Sequence, residues 1–361
     1  MASLNEAPNS ERIRIAFFGL RNAGKSTLVN AFTGKDIAIV SDTPGTTTDP
    51  VSKAMEIPPL GPCLVIDTAG LDDEGELGRM RVEKSLAVLA VCDVAVWVDD
   101  GRASPEFASV EGECRRRGVV MLVHRRGESA AALRERIASL KLKSAEPGLL
   151  DGLVGEGGRV LCVCPIDSSA PKGRLILPQV QLIRECLDRG IWVEVCQPRQ
   201  LRGLKGGEWD LAVTDSQAFG EVASYLPATQ RLTGFSILFA RRKGDIAAYL
   251  EGISKLGELK DGDKVLVLEG CTHHRQCEDI GTVKIPRAVK TLSGADVEFV
   301  FDGGTAAVGD FKLVVQCGGC MLTRREVMRR IDEAREAGVP VVNYGMILAK
   351  AAGLDVSRIV Y

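Results

Sequence analysis

The sequence has no long apolar run and no marked excess of charge of either sign. No stretch of the 361 residues approaches the ~18 apolar residues that a membrane-spanning helix needs. Residues 1–12 are polar and lack the apolar core of a secretion signal, which predicts a short disordered leader. A formal net charge of −2 gives no general electrostatic reason to bind nucleic acid or an anionic membrane. These absences favour a cytoplasmic protein with no membrane or nucleic-acid partner.

The composition is otherwise that of an ordinary globular protein, with 45% hydrophobic and 26% charged residues. A chain of this length predicts about two or three domains, each able to bury a core. Two basic runs, at residues 115–117 and 241–243, are predicted to be solvated helix ends or loops.

Eleven cysteines are present. In a reducing compartment they are expected to be thiols or metal ligands rather than disulfides. Six of them lie in or beside apolar runs, where a free cysteine acts as a small hydrophobe: Cys63, Cys92, Cys162, Cys164, Cys186 and Cys196.

Short β-rich runs alternate with segments of helical periodicity from residue 13 to about residue 165. The β-rich runs are 13–18, 63–66, 94–98, 119–123 and 160–163, and the helical segments are near 26–32, 80–91, 106–117 and 130–140. This alternation predicts an α/β fold with a doubly wound, mostly parallel sheet. A junction rich in proline and glycine follows at 168–177. We therefore predict a P-loop domain at 13–167 and two smaller α/β domains at 168–258 and 259–361.

Residues 19–26 read G-L-R-N-A-G-K-S and follow a predicted strand. This is the G-x-x-x-x-G-K-S pattern in which backbone N–H groups and a helix N-terminus surround phosphate groups. The lysine neutralises β- and γ-phosphate oxygens and the serine ligates magnesium. The predicted nucleotide-binding residues in this loop are Gly19, Asn22, Ala23, Gly24, Lys25, Ser26 and Thr27.

Two further segments complete a magnesium-dependent nucleotide switch. Asp67-Thr68-Ala69-Gly70 ends a β-rich run, so that Asp67 can hold the magnesium shell and Gly70 can offer its amide to a γ-phosphate. Residues 45–49, G-T-T-T-D, form a flexible segment whose hydroxyl groups can ligate the magnesium. A γ-phosphate would order both segments, and hydrolysis would release them.

These three motifs resemble those of the TrmE–Era branch of GTPases. The resemblance implies that Thr47 is the switch threonine and acts with Lys25, Asp67 and Gly70 in hydrolysis. It also implies that Asn22 binds an activating potassium ion. Guanine-selective members carry N-K-x-D after the fifth strand, but this sequence has His124-Arg125-Arg126-Gly127 there, and Glu128 comes one residue late. We therefore expect only a weak preference for GTP over other nucleoside triphosphates.

The last third of the chain contains a pattern of soft metal ligands. Cys271 and His273 form a C-x-H pair, and Cys317 and Cys320 form a C-x-x-C pair around two glycines. Thiolate and imidazole ligands are typical of iron–sulfur clusters and of zinc sites. The Gly-Gly insert favours a cluster, with zinc as the alternative.

The chain as a whole resembles the HydF family of FeFe-hydrogenase maturation GTPases. The resemblance rests on stretches that occur in order along the chain: residues 49–56, 66–78, 170–179 (A-P-K-G-R-L-I-L-P-Q), 214–217, 278–281, 317–321 and 343–345. It implies a 4Fe–4S cluster on the last domain and a homodimer formed through the middle domain. It further implies that a diiron precursor is accepted from radical-SAM maturases and passed to apo FeFe-hydrogenase.

One departure from the family concerns the fourth iron ligand. The family commonly has histidine immediately before C-x-x-C, where this chain has Gln316. A carboxamide is a poor iron ligand, which leaves the three cysteines, with His273 or an exchangeable group in the fourth position. The alternative function is that of a TrmE–Era-type GTPase in RNA modification or ribosome assembly, with a zinc-binding C-terminal domain.

Overall fold

A computed structural model describes residues 7–34, 50–73, 75–140, 142, 147–166, 175–203, 207–270, 280–304 and 306–361. The chain divides into two compact units near residue 145. Within the described ranges, no helix is both long enough and apolar enough to cross a membrane. The predicted α/β class with mostly parallel sheets is confirmed.

The first unit is a five-stranded sheet in the order β2-β3-β1-β4-β5, with helices on both faces. Its strands are β1 (Ile13–Phe18), β2 (Val51–Ile57), β3 (Gly61–Asp67), β4 (Val94–Asp99) and β5 (Val120–Arg125). Its helices are α1 (Lys25–Thr33), α2 (Gly75–Ala87), α3 (Pro105–Arg117) and α4 (Ala130–Ser139). All neighbouring strands are parallel except β2, which pairs antiparallel with β3 at the edge of the sheet.

Strand β1 is the central strand of this sheet and is buried on both faces. Ile15 and Phe17 face one apolar cluster, and Ala16 and Phe18 face the other. A continuous apolar run of this kind is typical of a central parallel strand. The loop that follows β1 therefore emerges at the middle of the carboxyl edge, where ligands of open α/β sheets bind.

The second unit begins with a four-stranded parallel sheet in the order β7-β6-β8-β9. Its strands are β6 (Arg159–Val163), β7 (Trp192–Cys196), β8 (Leu211–Thr214) and β9 (Leu232–Gly234). The helices along this stretch are α5 (Leu177–Asp188), α6 (Phe219–Tyr225) and α7 (Phe235–Lys243). The prediction that the strand at 160–163 belongs to the first sheet is wrong, because β6 pairs with β7 and β8. The predicted boundary at 167/168 therefore falls inside the second unit.

A second four-stranded parallel sheet, in the order β11-β10-β12-β13, completes this unit. Its strands are β10 (Lys264–Leu268), β11 (Glu298–Asp302), β12 (Leu313–Gln316) and β13 (Val341–Asn343). The remaining helices are α8 (Ile246–Lys255), α9 (Ile285–Ser293), α10 (Arg324–Glu336), α11 (Tyr344–Ala351) and α12 (Ser357–Val360). Helix α8 packs on β13, so the predicted boundary at 258/259 separates this helix from the sheet that it covers.

Candidate nucleotide and metal sites

The predicted phosphate loop joins β1 to α1 in the first unit. Gly19 has φ 154°, and a Cβ there would lie 2.9 Å from the carbonyl oxygen of Val98, so only glycine fits. Gly24 adopts φ 91° as the N-cap of α1. Asn22 has φ 62°, a left-handed conformation that asparagine tolerates better than most residues. The backbone thus has the tight turn needed to direct N–H groups at an anion.

The side chain of Lys25 is buried against this loop. Its Nζ donates to the carbonyl oxygens of Leu20 at 2.7 Å and Gly19 at 3.3 Å. Burial lowers the pKa of Lys25, and the nearby carboxylate of Asp67 acts in the opposite direction. An anionic phosphate in the loop would further favour the charged form of Lys25, because an opposite charge favours ionisation.

Ser26 and Asp67 form a hard-ligand pair beside Lys25. Ser26 Oγ donates to Asp67 Oδ2 at 3.0 Å, while Asp67 Oδ1 is buried and accepts no hydrogen bond. Burial raises the pKa of Asp67, and the hydrogen bond from Ser26 opposes that change. A buried, unsatisfied carboxylate oxygen next to a hydroxyl group fits a magnesium ion, which prefers oxygen ligands.

The segment after β3 lies directly on the phosphate loop. Leu71 N donates to Gly19 O at 3.2 Å, and Thr68 Oγ1 donates to Phe17 O at 2.7 Å. A Cβ on Gly70 would lie 2.9 Å from the backbone of Arg21, so glycine is required by the close approach.

The other predicted members of this site fall into two groups. Ala23 N donates to Leu20 O at 3.2 Å within the loop, and Thr27 is exposed in the first turn of α1. Thr47 lies outside the described residues. The structure thus brings every described member of the predicted nucleotide set to one edge of the sheet.

Arg102 is a residue at this site that the sequence reasoning missed. Its Nη2 donates to the carbonyl oxygen of Arg21 at 2.9 Å, and its Nε donates to Asp100 at 2.7 Å. Residues 100–102 follow β4, and the carboxyl ends of β4 and β1 meet at the same edge. That adjacency was the available signal for placing Arg102 near the phosphate loop.

The loop after β5 does not offer a free carboxylate for base recognition. Glu128 accepts a hydrogen bond from Arg136 at 2.7 Å, and its other oxygen lies 3.3 Å from Nδ1 of His124. Burial lowers the pKa of His124, which favours the neutral imidazole. Because Glu128 is already paired with Arg136, it is not available as a substitute for the missing aspartate.

The predicted C-x-x-C pair forms a loop between β12 and α10 in the second unit. Cys317 N donates to Leu268 O at 3.1 Å, which continues the β10–β12 ladder into the loop. Burial raises the pKa of the Cys317 thiol and raises that of Cys320 to about 11. Both thiols therefore need a cation or a metal to become ligating thiolates.

Both glycines of this loop are needed because two helices pack closely against it. A Cβ on Gly318 would lie 3.0 Å from Ser236 at the start of α7. Gly319 has φ 69°, and a Cβ there would lie 2.9 Å from Cγ2 of Val327 on α10. The loop is thus positioned by α7 on one side and α10 on the other.

Replacing Gly319 by alanine should destabilise the second unit. A left-handed non-glycine residue and the contact with Val327 together should cost about 1–3 kcal/mol of the free energy of unfolding. Urea unfolding of the full chain measures the change. Gly309→Ala is the matched control, because a Cβ at Gly309 meets open space. Equal effects of the two substitutions would contradict the packing argument.

Two of the four predicted soft ligands are thus placed on one loop. Cys271 and His273 lie outside the described residues. Across the part of the chain that the structure describes, no group of three or more His, Cys, Asp or Glu residues could hold a metal ion. Gln316 is fully buried beside Cys317, and neither atom of its carboxamide has a hydrogen-bond partner. The described residues thus supply two thiols that suit iron or zinc, and the Gln316 carboxamide beside them adds no good iron ligand.

The remaining predicted structural cysteines are mostly buried thiols. Cys63, Cys92, Cys162, Cys164 and Cys186 are buried, and Cys196 is half-buried. The sulfur atoms of Cys162 and Cys164 lie 3.5 Å apart on β6. Burial among apolar side chains agrees with their predicted packing role.

The fold and the phosphate site together define the class of the first unit. A parallel sheet carries a phosphate loop between β1 and α1, a Ser26–Asp67 pair for magnesium and a glycine-containing segment after β3. These are the parts of a P-loop nucleoside-triphosphatase domain of the GTPase type. A family model described as 50S ribosome-binding GTPase matches residues 14–125.

Two further family models cover the second unit. The Hydrogen maturase F dimerization domain matches residues 149–244, and the Hydrogen maturase F tetramerization domain matches residues 247–360. With the GTPase domain before them, these matches show that the chain belongs to the hydrogen maturase F (HydF) family. The boundary between the two family models falls between α7 and α8. The packing of α8 on β13 agrees with this boundary, because it assigns α8 to the last sheet.

Single curated proteins match only part of this chain. The tRNA modification GTPase MnmE of Synechococcus sp. is 36% identical over 118 residues, which are 31% of this chain and 25% of that protein. GTPase Der of Campylobacter hominis is 39% identical over 92 residues, or 26% of this chain and 20% of that protein. The chain thus spans about a quarter or less of the length of these curated relatives.

Among solved structures, Aquifex aeolicus Era bound to GDP.AlF4- aligns over 90% of this chain and 98% of its own. The identity is 16% and the TM-score is 0.27. A TM-score at this level does not establish a shared arrangement over the whole chain.

Proposed function

We propose that this protein is a GTP-binding and GTP-hydrolysing scaffold for the maturation of FeFe-hydrogenase. It carries a 4Fe–4S cluster, receives a diiron precursor from radical-SAM maturases and transfers it to apo-hydrogenase. The observation that carries the proposal is the combination, in one chain, of the Ser26–Asp67 phosphate site with the Cys317–Cys320 loop in a domain of the HydF type.

In the nucleotide site, Lys25 binds the β- and γ-phosphate oxygens and Ser26 ligates magnesium, with Asp67 in the shell around the metal. Gly70 offers its amide to the γ-phosphate and Thr47 supplies the switch hydroxyl. Asn22, at the left-handed turn of the loop, holds a potassium ion. The phosphate chemistry needs little more than positioning and charge stabilisation.

In the metal site, Cys271, Cys317 and Cys320 hold the cluster, with His273 or an exchangeable group at the fourth iron. The cluster supplies an iron atom with a replaceable ligand, which suits the transient holding of a diiron precursor. The nucleotide state shifts the population between partner-binding conformations rather than driving the metal chemistry. The middle domain forms a homodimer, and the protein works in the cytoplasm.

Anaerobic iron and sulfide analysis of the full chain, combined with EPR spectroscopy and phosphate-release kinetics, tests this function. We expect the iron and sulfide of one 4Fe–4S cluster per chain, and hydrolysis that requires magnesium and is stimulated by potassium. Zinc in place of iron, together with RNA binding, would instead support a GTPase of RNA modification or ribosome assembly.

Nucleotide competition is expected to reveal weak base selectivity. Gly127 occupies the position where the guanine-reading aspartate is expected, and Glu128 is paired with Arg136. The affinity for GTP should therefore exceed that for ATP by a factor of less than about ten, which corresponds to a binding free energy difference below about 1.4 kcal/mol. Competition binding of GTP, ATP and XTP measures the ratio. A Glu128→Gln variant should leave the ratio unchanged, and a strong GTP preference that this variant abolishes would contradict the assignment.

A further inference from the structure

Arg102 connects the loop after β4 to the phosphate loop. Its Nη2 donates to the backbone carbonyl oxygen of Arg21 at 2.9 Å. An exposed ion pair contributes little to stability, and the pair that Arg102 forms with Asp100 is of that kind. The contact with Arg21 is different, because it reaches the backbone that surrounds the phosphate groups and therefore bears on the nucleotide chemistry.

The turn after β4 holds Arg102 in this position. Asp99 Oδ1 accepts a hydrogen bond from Gly101 N at 2.9 Å, and Gly101 has a φ of 86° that suits glycine. Asp100 accepts from Arg102 at two points, from the backbone N at 3.1 Å and from Nε at 2.7 Å. The protein itself thus orients the guanidinium group, although the Arg102 side chain is 52% exposed.

Two successive peptide groups at the turn of the phosphate loop are fixed by side chains. The first lies between Leu20 and Arg21, and its N–H donates to Asp72 Oδ1. The carbonyl oxygen of the same peptide group accepts from Lys25 Nζ at 2.7 Å. The second follows Arg21, and its carbonyl oxygen is the one that Arg102 holds. Arg102 therefore completes the set of contacts that sets the path of the backbone here.

Holding the carbonyl oxygen of Arg21 also directs the N–H group of Asn22. The only cis peptide bond in the described part of the chain joins Pro58 and Pro59, so the bond between Arg21 and Asn22 is trans. In a planar trans peptide the C=O and N–H groups point in opposite directions. Because the N–H groups of a phosphate loop surround the phosphates, its carbonyl oxygens face outward, and Arg102 holds one of them from outside.

The backbone conformation at this point needs such support. Asn22 has a φ of 62°, and a left-handed residue other than glycine costs about 1–3 kcal/mol unless its surroundings hold it there. Gly70, whose amide is proposed to meet the γ-phosphate, packs on the adjoining backbone of Arg21. A shift of this peptide plane would therefore disturb the γ-phosphate side of the site.

We propose that Arg102 is a positioning residue for nucleotide hydrolysis, which aims the Asn22 N–H at the phosphates by holding the Arg21 carbonyl oxygen. The inference deepens the nucleotide-hydrolysis part of the proposed function and rests on it. Charge on the phosphate oxygens is redistributed in the transition state of phosphoryl transfer, and a donor that is already aimed at them lowers the barrier. Asp100 acts through Arg102, because its carboxylate holds the guanidinium group.

The test measures steady-state GTP hydrolysis by the full chain at saturating magnesium. For Arg102→Met, kcat should fall about tenfold, the effect of one well-placed hydrogen bond. KM should change less than about threefold, because the other N–H groups of the loop and Lys25 still bind the nucleotide. Arg102→Lys keeps a donor for the Arg21 carbonyl oxygen and should recover most of the lost turnover.

Asp100→Asn tests whether Asp100 acts through Arg102. It should lower kcat less than Arg102→Met does, and the double variant should be no slower than Arg102→Met alone, because the two residues form one unit. Arg115→Met is the matched control, since the Arg115 side chain on α3 is 81% exposed. It should leave kcat and KM unchanged.

The outcomes separate this role from the proposed function. A wild-type chain that does not hydrolyse GTP refutes the nucleotide part of the proposed function. Wild-type hydrolysis with a normal kcat in Arg102→Met refutes only the positioning role. A raised KM with an unchanged kcat refutes it too, because that result is the mark of uniform nucleotide binding. Thermal unfolding of each variant completes the test, and a kcat that falls only together with the stability would mark Arg102 as a support of the fold alone.

Discussion

Replacing Lys25 by methionine should lower the turnover of GTP hydrolysis by on the order of 10²–10³-fold, the usual effect of removing one preorganised charge-stabilising group. Methionine has a similar length, but it cannot neutralise the β- and γ-phosphate oxygens. Lys25 lies within the phosphate loop rather than on the surface. Single-turnover phosphate release at saturating magnesium and nucleotide measures the loss.

The fold should survive this substitution. Burial lowers the pKa of Lys25, so the buried ammonium is itself unfavourable, and its removal offsets the two lost hydrogen bonds to loop carbonyls. We expect the free energy of unfolding to change by no more than about 1 kcal/mol. Lys53→Met, at an exposed lysine on β2, is the control and should hydrolyse GTP normally. Turnover that survives Lys25→Met in a folded protein would overturn the assignment of the phosphate site.

Local motifs were predictable because they depend on near neighbours in the sequence. The phosphate loop, the segment after β3 and the C-x-x-C loop each join a buried strand to a turn or helix. Their hydrophobic runs and glycines indicate this context directly. Helices α3 and α10 were likewise predictable, since Ser104 and Thr323 cap their N-termini and glycine follows each helix.

The pairing of strands was not predictable in the same way. Strand β6 is apolar on both faces, as any central parallel strand is, so its sequence does not reveal which sheet it joins. Strand β2 is largely exposed at a sheet edge and carries little apolar signal. The sheet to which each of these strands belongs is determined by pairing with residues distant in sequence, and no local sequence pattern encodes that pairing.

The burial of individual charged side chains could not be predicted from the sequence either. The basic run at 241–243 was predicted as a solvated helix end; it does lie in the last turn of α7, but Lys243 is buried against the Cys317–Cys320 loop. In the run at 115–117 all three arginines are exposed, as predicted. The two runs are similar in composition. Only the packing of α7 on the loop explains why Lys243 is buried and the arginines at 115–117 are exposed.

Replacing Cys317 and Cys320 together by serine should abolish the cluster. A serine hydroxyl stays protonated near neutral pH and is a much poorer ligand for iron than a thiolate, so the variant loses two of three proposed thiolate ligands at once. The iron and sulfide content after anaerobic reconstitution should fall to background, and the EPR signal of the reduced cluster should vanish. Hydrolysis of GTP should persist, because the nucleotide residues belong to the first unit.

The matched control is Cys196→Ser, which replaces a half-buried cysteine on β7 that belongs to neither predicted ligand pair. It should keep the full iron and sulfide content. The double variant itself should remain folded, since Lys243 bonds to backbone carbonyls of the loop and not to the sulfur atoms. A normal cluster in the double variant would refute the assignment of this loop as the metal site. If Cys196→Ser loses its iron while the double variant keeps its own, the cluster would instead lie at the sheet formed by β6 to β9.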